Sequence, residues 1–123
     1  MALAAREVLD GKARFEGRTL AEWVPDAVSS LVGACRPRTI VVFGSVARGD
    51  DGPDSDIDLL VVVDDGADRR EATEAALRAV ASLPPEVDVV VIGQAAAEVH
   101  RDVAGTIIRP ALREGKVVYD RAG

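Results

Sequence analysis

Two aspartates, Asp56 and Asp58, open a run that is otherwise apolar, Asp-Ile-Asp-Leu-Leu-Val-Val-Val. Side chains on a strand repeat every two residues, so an extended backbone puts both carboxylates on one face. Like charges placed this way repel, and a carboxylate beside a core loses hydration. A divalent cation relieves both costs, and Mg2+ is ligated by carboxylate, water and phosphate oxygens. Asp88 is the one charge inside the apolar run Val87 to Ile92, and a neighbouring strand would bring it beside the pair. Three carboxylates converging from two strands can hold two Mg2+ ions, which clamp the attacking and the leaving oxygen of a phosphoryl transfer.

Such ions need a phosphate-bearing ligand, and Gly44-Ser45 offers a seat for one. A strand that ends in Gly followed by Ser exposes backbone amides with no side chain in the way, and the Ser hydroxyl donates to a phosphate oxygen. A helical turn starting at Ser45 would add free amide groups that favour anions. Arg48, three residues on, supplies a charge-assisted contact or is a surface charge. A calcium loop is the competing reading of Asp54, Asp56 and Asp58, but Leu59 stands where such a loop needs Gly. The Asp64, Asp65 and Asp68 run reads as a turn and the acidic start of a helix rather than as catalytic.

The chain behind these residues has 123 positions, enough for one domain and its core without disulfides. It is 48% hydrophobic and 3% aromatic, so the core must be built from Val, Ile, Leu and Ala. Formal net charge is −6, which opposes a broad sequence-independent grip on nucleic acid, and no direct nucleic-acid binding is expected. Eight of the 21 acidic residues fall between Asp50 and Asp68, and all eight are Asp. The single Cys35 excludes an intramolecular disulfide and fits a reducing compartment. With no long apolar run and no signal-peptide pattern, a cytoplasmic protein with no membrane partner is expected.

The elements that must position the carboxylates follow from periodicity. Residues 1–18 are weakly periodic and read as an N-terminal arm or a loosely held helix. Leu20, Trp23, Val24, Ala27, Val28, Leu31, Val32 and Cys35 keep helical spacing, with Trp23 as a core anchor. Two starts for that helix are open: a Thr19–Glu22 capping box, or Pro25 as the first helical residue. Thr39 to Phe43 reads as a buried strand, 45–55 as a loop with one helical turn, and 56–63 as a second strand. A helix over 69–83 ends at Pro84-Pro85, a third strand covers 86–92, and a mostly helical stretch runs from Gln94 to Glu114 with a break at Pro110. Lys116 to Tyr119 is a short edge strand, with Tyr119 packing inward. Strands alternating with helices predict an α/β sandwich of two layers.

Gly44-Ser45, ten intervening residues and then Asp56-Ile57-Asp58, within FGSVARGDDGPDSDIDLLVV, resembles the signature of the DNA polymerase beta-type nucleotidyltransferase superfamily. The minimal nucleotidyltransferase (MNT) branch is similar in length as well, and Arg48-Gly49, Ser55 and the placing of Asp88 also match. Weaker likeness continues through Ile107, Glu114-Gly115 and Val118-Tyr119. The resemblance implies an α/β fold with a nucleotidyltransferase-type mixed β-sheet of three to four strands and helices packed on one face. Residues 19–123 would form a single minimal nucleotidyltransferase domain. It further implies Mg2+-dependent transfer of AMP from ATP to a hydroxyl: Asp56, Asp58 and Asp88 would hold two Mg2+ ions, Asp88 would help activate the acceptor, and Gly44 and Ser45 would hold the triphosphate. Many members of this branch adenylylate a tyrosine of a HEPN-type toxin, so such a toxin is the expected protein partner and antitoxin action the expected role. A non-catalytic antitoxin that occludes its partner, and a small-molecule adenylyltransferase, are the alternatives. Larger relatives complete the pocket with a second helical domain, so a partner or a second copy in a homo-oligomer is expected to complete it here.

Overall fold

The computed structural model describes residues 5–100 and 114–121. In chain order the elements are β1 (Glu7–Leu9), β2 (Lys12–Phe15), β3 (Arg18–Thr19), α1 (Leu20–Cys35), β4 (Thr39–Phe43), α2 (Gly44–Arg48), β5 (Ile57–Val63), α3 (Arg69–Ala81), β6 (Val87–Gly93), α4 (Gln94–His100) and β7 (Lys116–Asp120). Four strands make the central sheet in the order β6-β5-β4-β7. β4 runs antiparallel to both β5 and β7, whereas β5 and β6 are parallel and joined through α3, so the sheet is mixed as expected.

Alternation along the strands divides the sheet's two faces. Ile57, Leu59, Val61 and Val63 join Ile40 and Val42 in the main core, under Ala27 and Leu31 of α1 and Ala76 and Val80 of α3. Each such fully buried aliphatic side chain contributes about 1.5–3 kcal/mol. The alternate residues Leu60 and Val62 pack with Val41 and Ile92 on the other face, where Ala97 of α4 meets them. Helices therefore pack mainly on one face, as expected, with α4 added on the opposite one. The longer helix expected to Glu114, its break at Pro110, and Ile107 fall largely outside the described residues.

The start of α1 resolves in favour of the capping box. Thr19 Oγ1 accepts from the Glu22 amide at 3.2 Å, and the Thr19 amide donates to Glu22 Oε1 at 3.0 Å. Pro25 lies inside the helix instead of beginning it. One lost backbone donor is outweighed there by a satisfied cap and by the buried stripe Leu20, Trp23, Val24, Ala27 and Leu31.

Residues 7–18 depart most from expectation. Neither an arm nor a helix forms over 7–19; β1, β2 and β3 make an antiparallel meander. Two-residue turns cause it: Asp10 and Gly11 have φ of 54° and 77°, and Glu16 and Gly17 have 53° and 78°. Consecutive left-handed residues match the twist of a hairpin, and Asp-Gly is a favoured pair for that turn. Ala13 and Phe15 of β2 are buried in the main core, and the Trp23 indole donates to the Phe15 carbonyl at 3.0 Å. The meander is thereby fastened to α1.

Candidate active site

The first carboxylate of the site is placed by strand register. Asp58 is the second residue of β5, beside Phe43 on its antiparallel neighbour and beside Asp88 on its parallel one. Hydrogen-bonded strands lie about 4.8 Å apart, so the two carboxylates are forced into proximity by the ladder itself. Burial pushes the Asp58 carboxyl above its usual range, and the charges of Asp88 and then Asp56 push it further, with Arg48 opposing. Asp58 thus senses all three of the other charged residues singled out in the sequence.

Phe43 ends β4 and the chain turns at once into α2, with Gly44 at φ 73°. The turn needs a glycine for two reasons. A side chain disfavours that backbone region, and a Cβ on Gly44 would collide with Asp58 Oδ2. The same contact places Gly44 against the Asp58 carboxylate. Ser45 follows, partly buried, in the first turn of α2, and its carbonyl accepts from the Asp50 amide at 3.1 Å. Arg48 is exposed and its Nε donates to Asp50 Oδ2 at 3.2 Å. Of the two roles open to Arg48, the structure displays the surface pair, while its field still reaches Asp58.

Asp56 sits one residue before β5 and is partly buried. Its Oδ1 accepts from Arg6 Nη2 at 3.0 Å, a contact spanning 50 residues that the sequence reading missed. Lys12 was missed too: its Nζ reaches Asp51 Oδ1 at 3.2 Å and the Gly49 carbonyl at 3.3 Å. No local pattern announces either pairing. The only usable signal was the pair of turns at Asp10-Gly11 and Glu16-Gly17, which would have folded residues 6–19 into strands.

The donor set of Asp56, Asp58 and Asp88 is all carboxylate oxygen, the chemistry that suits a hard divalent cation. Burial, Asp88 and Asp56 all disfavour the ionised form of Asp58, a cost that a cation would relieve. The residues therefore fit such an ion, although among the described residues no three side chains are drawn close enough to hold one as they stand. Asp58 and Asp88 interact directly, whereas Asp56 gives one oxygen to Arg6. Among the described residues no helix is long and apolar enough to cross a membrane.

Residues 21–111 match the family described as nucleotidyltransferase domain. Among solved structures, the chain is similar to a Sulfolobus solfataricus protein described as a candidate nucleotidyltransferase, at 20% identity and a TM-score of 0.58. That likeness covers 84% of this chain and 82% of the other, and at this identity it speaks for the fold. No curated protein matches the sequence significantly.

Proposed function

The chain belongs to the nucleotidyltransferase domain family, and from that premise we propose that it transfers AMP from ATP to a hydroxyl on a protein, releasing pyrophosphate. The observation that carries the proposal is the in-register pairing of Asp58 with Asp88 against the Gly44 turn. Two acidic side chains side by side at the mouth of a glycine turn are costly for stability and useful for binding a cation with a polyphosphate.

In this reading Asp56, Asp58 and Asp88 hold Mg2+, and a bound divalent ion supplies charge neutralisation on the phosphates and lowers the pKa of the acceptor hydroxyl. The remaining work falls to the chain. Gly44 presents backbone where a side chain would obstruct the phosphates, Ser45 donates its hydroxyl proton to a phosphate oxygen, and Arg48 contributes charge by leaving its exposed partner Asp50. Asp88 accepts the proton of the acceptor hydroxyl as its oxygen attacks the α-phosphorus, and the bond to the bridging oxygen breaks. The likeness to the MNT branch supports a tyrosine of a HEPN-type toxin as the acceptor, and thus antitoxin action in the cytoplasm.

The test is transfer of label from α-labelled ATP, with Mg2+, to the product of the adjacent gene. Labelling of that product by the wild type and its loss in Asp56→Asn/Asp58→Asn support the reading. Equal labelling by the double variant overturns it. If the double variant labels nothing yet still neutralises the partner in a growth assay, occlusion replaces chemistry as the mode of action.

A further inference from the structure

Asp56 is the member of the carboxylate set that the sheet holds least. The β5–β6 register begins at Ile57 opposite Val87, so Asp56 precedes the ladder and belongs to the loop over 49–56. That loop is held from outside at both ends, by β2 of the N-terminal meander and by Arg6, the residue just before β1. At its start, Lys12 of β2 bonds the Gly49 carbonyl and Asp51 Oδ1. Asp51 is 5% exposed, and its Oδ2 is buried with no hydrogen-bond partner among the described residues, so Lys12 carries the compensation of that charge. At its end, the Arg6 guanidinium meets three acceptors together: the Pro53 carbonyl at 3.0 Å, the Ser55 carbonyl at 2.9 Å and Asp56 Oδ1 at 3.0 Å.

Arg6 is itself braced. Its guanidinium lies over the Phe15 ring, 5.1 Å from the centroid, and the Phe15 carbonyl is tied to the buried Trp23. A continuous chain of contacts therefore runs from α1 through Trp23, Phe15 and Arg6 to Asp56. Both Arg6 and Lys12 lie upstream of the residues matched by the family.

We propose that the N-terminal meander is a wall of the active site, and that Arg6 is a positioning residue that fixes the orientation of Asp56 for divalent-cation binding. This rests on the nucleotidyl-transfer reading above. A planar fork with five N–H donors can serve two carbonyls and a carboxylate at once, whereas an ammonium is a point charge on a flexible stem. Groups that orient a metal ligand typically matter about 10–100-fold for affinity.

The experiment uses the full chain and Mn2+ alone as probe, followed by electron paramagnetic resonance, with thermal unfolding and amide hydrogen exchange measured on the same samples. The wild type is expected to bind Mn2+ and Asp58→Asn to lose it. Arg6→Gln and Arg6→Lys are expected to weaken Mn2+ binding about 10–100-fold, with faster exchange over 50–56 and unchanged protection in β5. Arg6→Lys, which keeps the charge, carries the test should Arg6→Gln fail to fold. Binding as tight as or tighter than wild type in Arg6→Gln overturns the proposal alone, because Arg6 is then a bystander or a competitor of the cation. Full wild-type affinity in Arg6→Lys overturns it as well, since charge without the fork would suffice. A wild type that takes up no Mn2+, or an Asp58→Asn variant that binds like wild type, overturns the reading of the site and the proposal with it.

Discussion

Asp58 and Asp88 stand in register across the parallel pairing of β5 with β6, so the sheet holds two carboxyl groups side by side near the start of these strands. Burial first, and Asp88 second, raise the Asp58 carboxyl above its ordinary value of 3.8. Between that ordinary value and the raised one, the folded chain binds more protons than the unfolded chain. Stability without metal therefore falls as pH rises through this interval, and the penalty is fully present above it. Asp58→Asn is expected to raise the Tm of the metal-free protein at neutral pH, to lose that advantage as pH falls below the ordinary carboxylate range, and to lower transfer more than about 100-fold, beyond what an outer partner of a metal ligand costs. Unfolding scans across pH, with chelator, check the stability half; a gain that does not vary with pH would contradict it.

Gly44 combines a φ of 73° with direct approach to Asp58. Gly44→Ala is expected to cost about 1–2 kcal/mol for the left-handed backbone, with further loss from the contact with Asp58. Because the new methyl meets a carboxylate of the site, transfer activity should fall even at temperatures where the variant is fully folded. Urea unfolding and an assay well below the Tm separate the two effects.

Ser45 and Arg48 should differ in how they fail. On the proposed reading Ser45→Ala removes one donor to a charged phosphate, worth about 1.5–3 kcal/mol, so kcat/KM should fall roughly 10–150-fold with little change in Tm. Among the described residues the ion pair of Arg48 is an exposed one with Asp50, so Arg48→Ala should change stability by less than about 1 kcal/mol. Its effect should appear as a raised KM for the triphosphate and a weaker dependence of KM on salt. Steady-state kinetics at two ionic strengths test this contrast.

The Trp23 indole donates to the Phe15 carbonyl at 3.0 Å, and the Arg18 guanidinium stacks 3.9 Å from the Trp23 ring. Trp23→Phe keeps an aromatic ring but removes the indole donor to that carbonyl, a loss of about 0.5–1.5 kcal/mol. Circular dichroism in urea should show the reduced midpoint, and amide exchange should rise first in β1 and β2. Uniform destabilisation with no preference for the meander would count against Trp23 as its fastening point.

Much of the central fold was legible because its signals are local. Thr39–Phe43 is a run of β-branched and aromatic residues ended by Gly44, and the strand forms over those same residues. The helix over Leu20–Cys35 follows its apolar spacing, with Pro25 inside it and not at its start. Propensity assigns a cost to that proline but cannot weigh it against a cap and five buried side chains, which are tertiary gains. The meander was not legible from hydrophobic pattern because β1 is exposed throughout and β3 has two residues. Its information lies in the turns, where Asp10, Gly11, Glu16 and Gly17 take positive φ.

For the candidate site, the sequence by itself determined the candidate residues: Asp56 and Asp58 two apart, Asp88 alone in an apolar strand, and Gly44-Ser45 at a strand end. Residue types and short spacings carry that information because a strand's period and a turn's φ are properties of a few neighbouring residues. Which carboxylates become neighbours was decided only by the tertiary structure, through the register that sets Asp58 beside Asp88. The tertiary structure also decided that Arg6 reaches Asp56 across 50 residues and that Lys12 reaches Asp51 across 39. Contacts at such separations leave no periodic trace in a single chain, since they arise from how elements pack and not from the order of residues within any one of them.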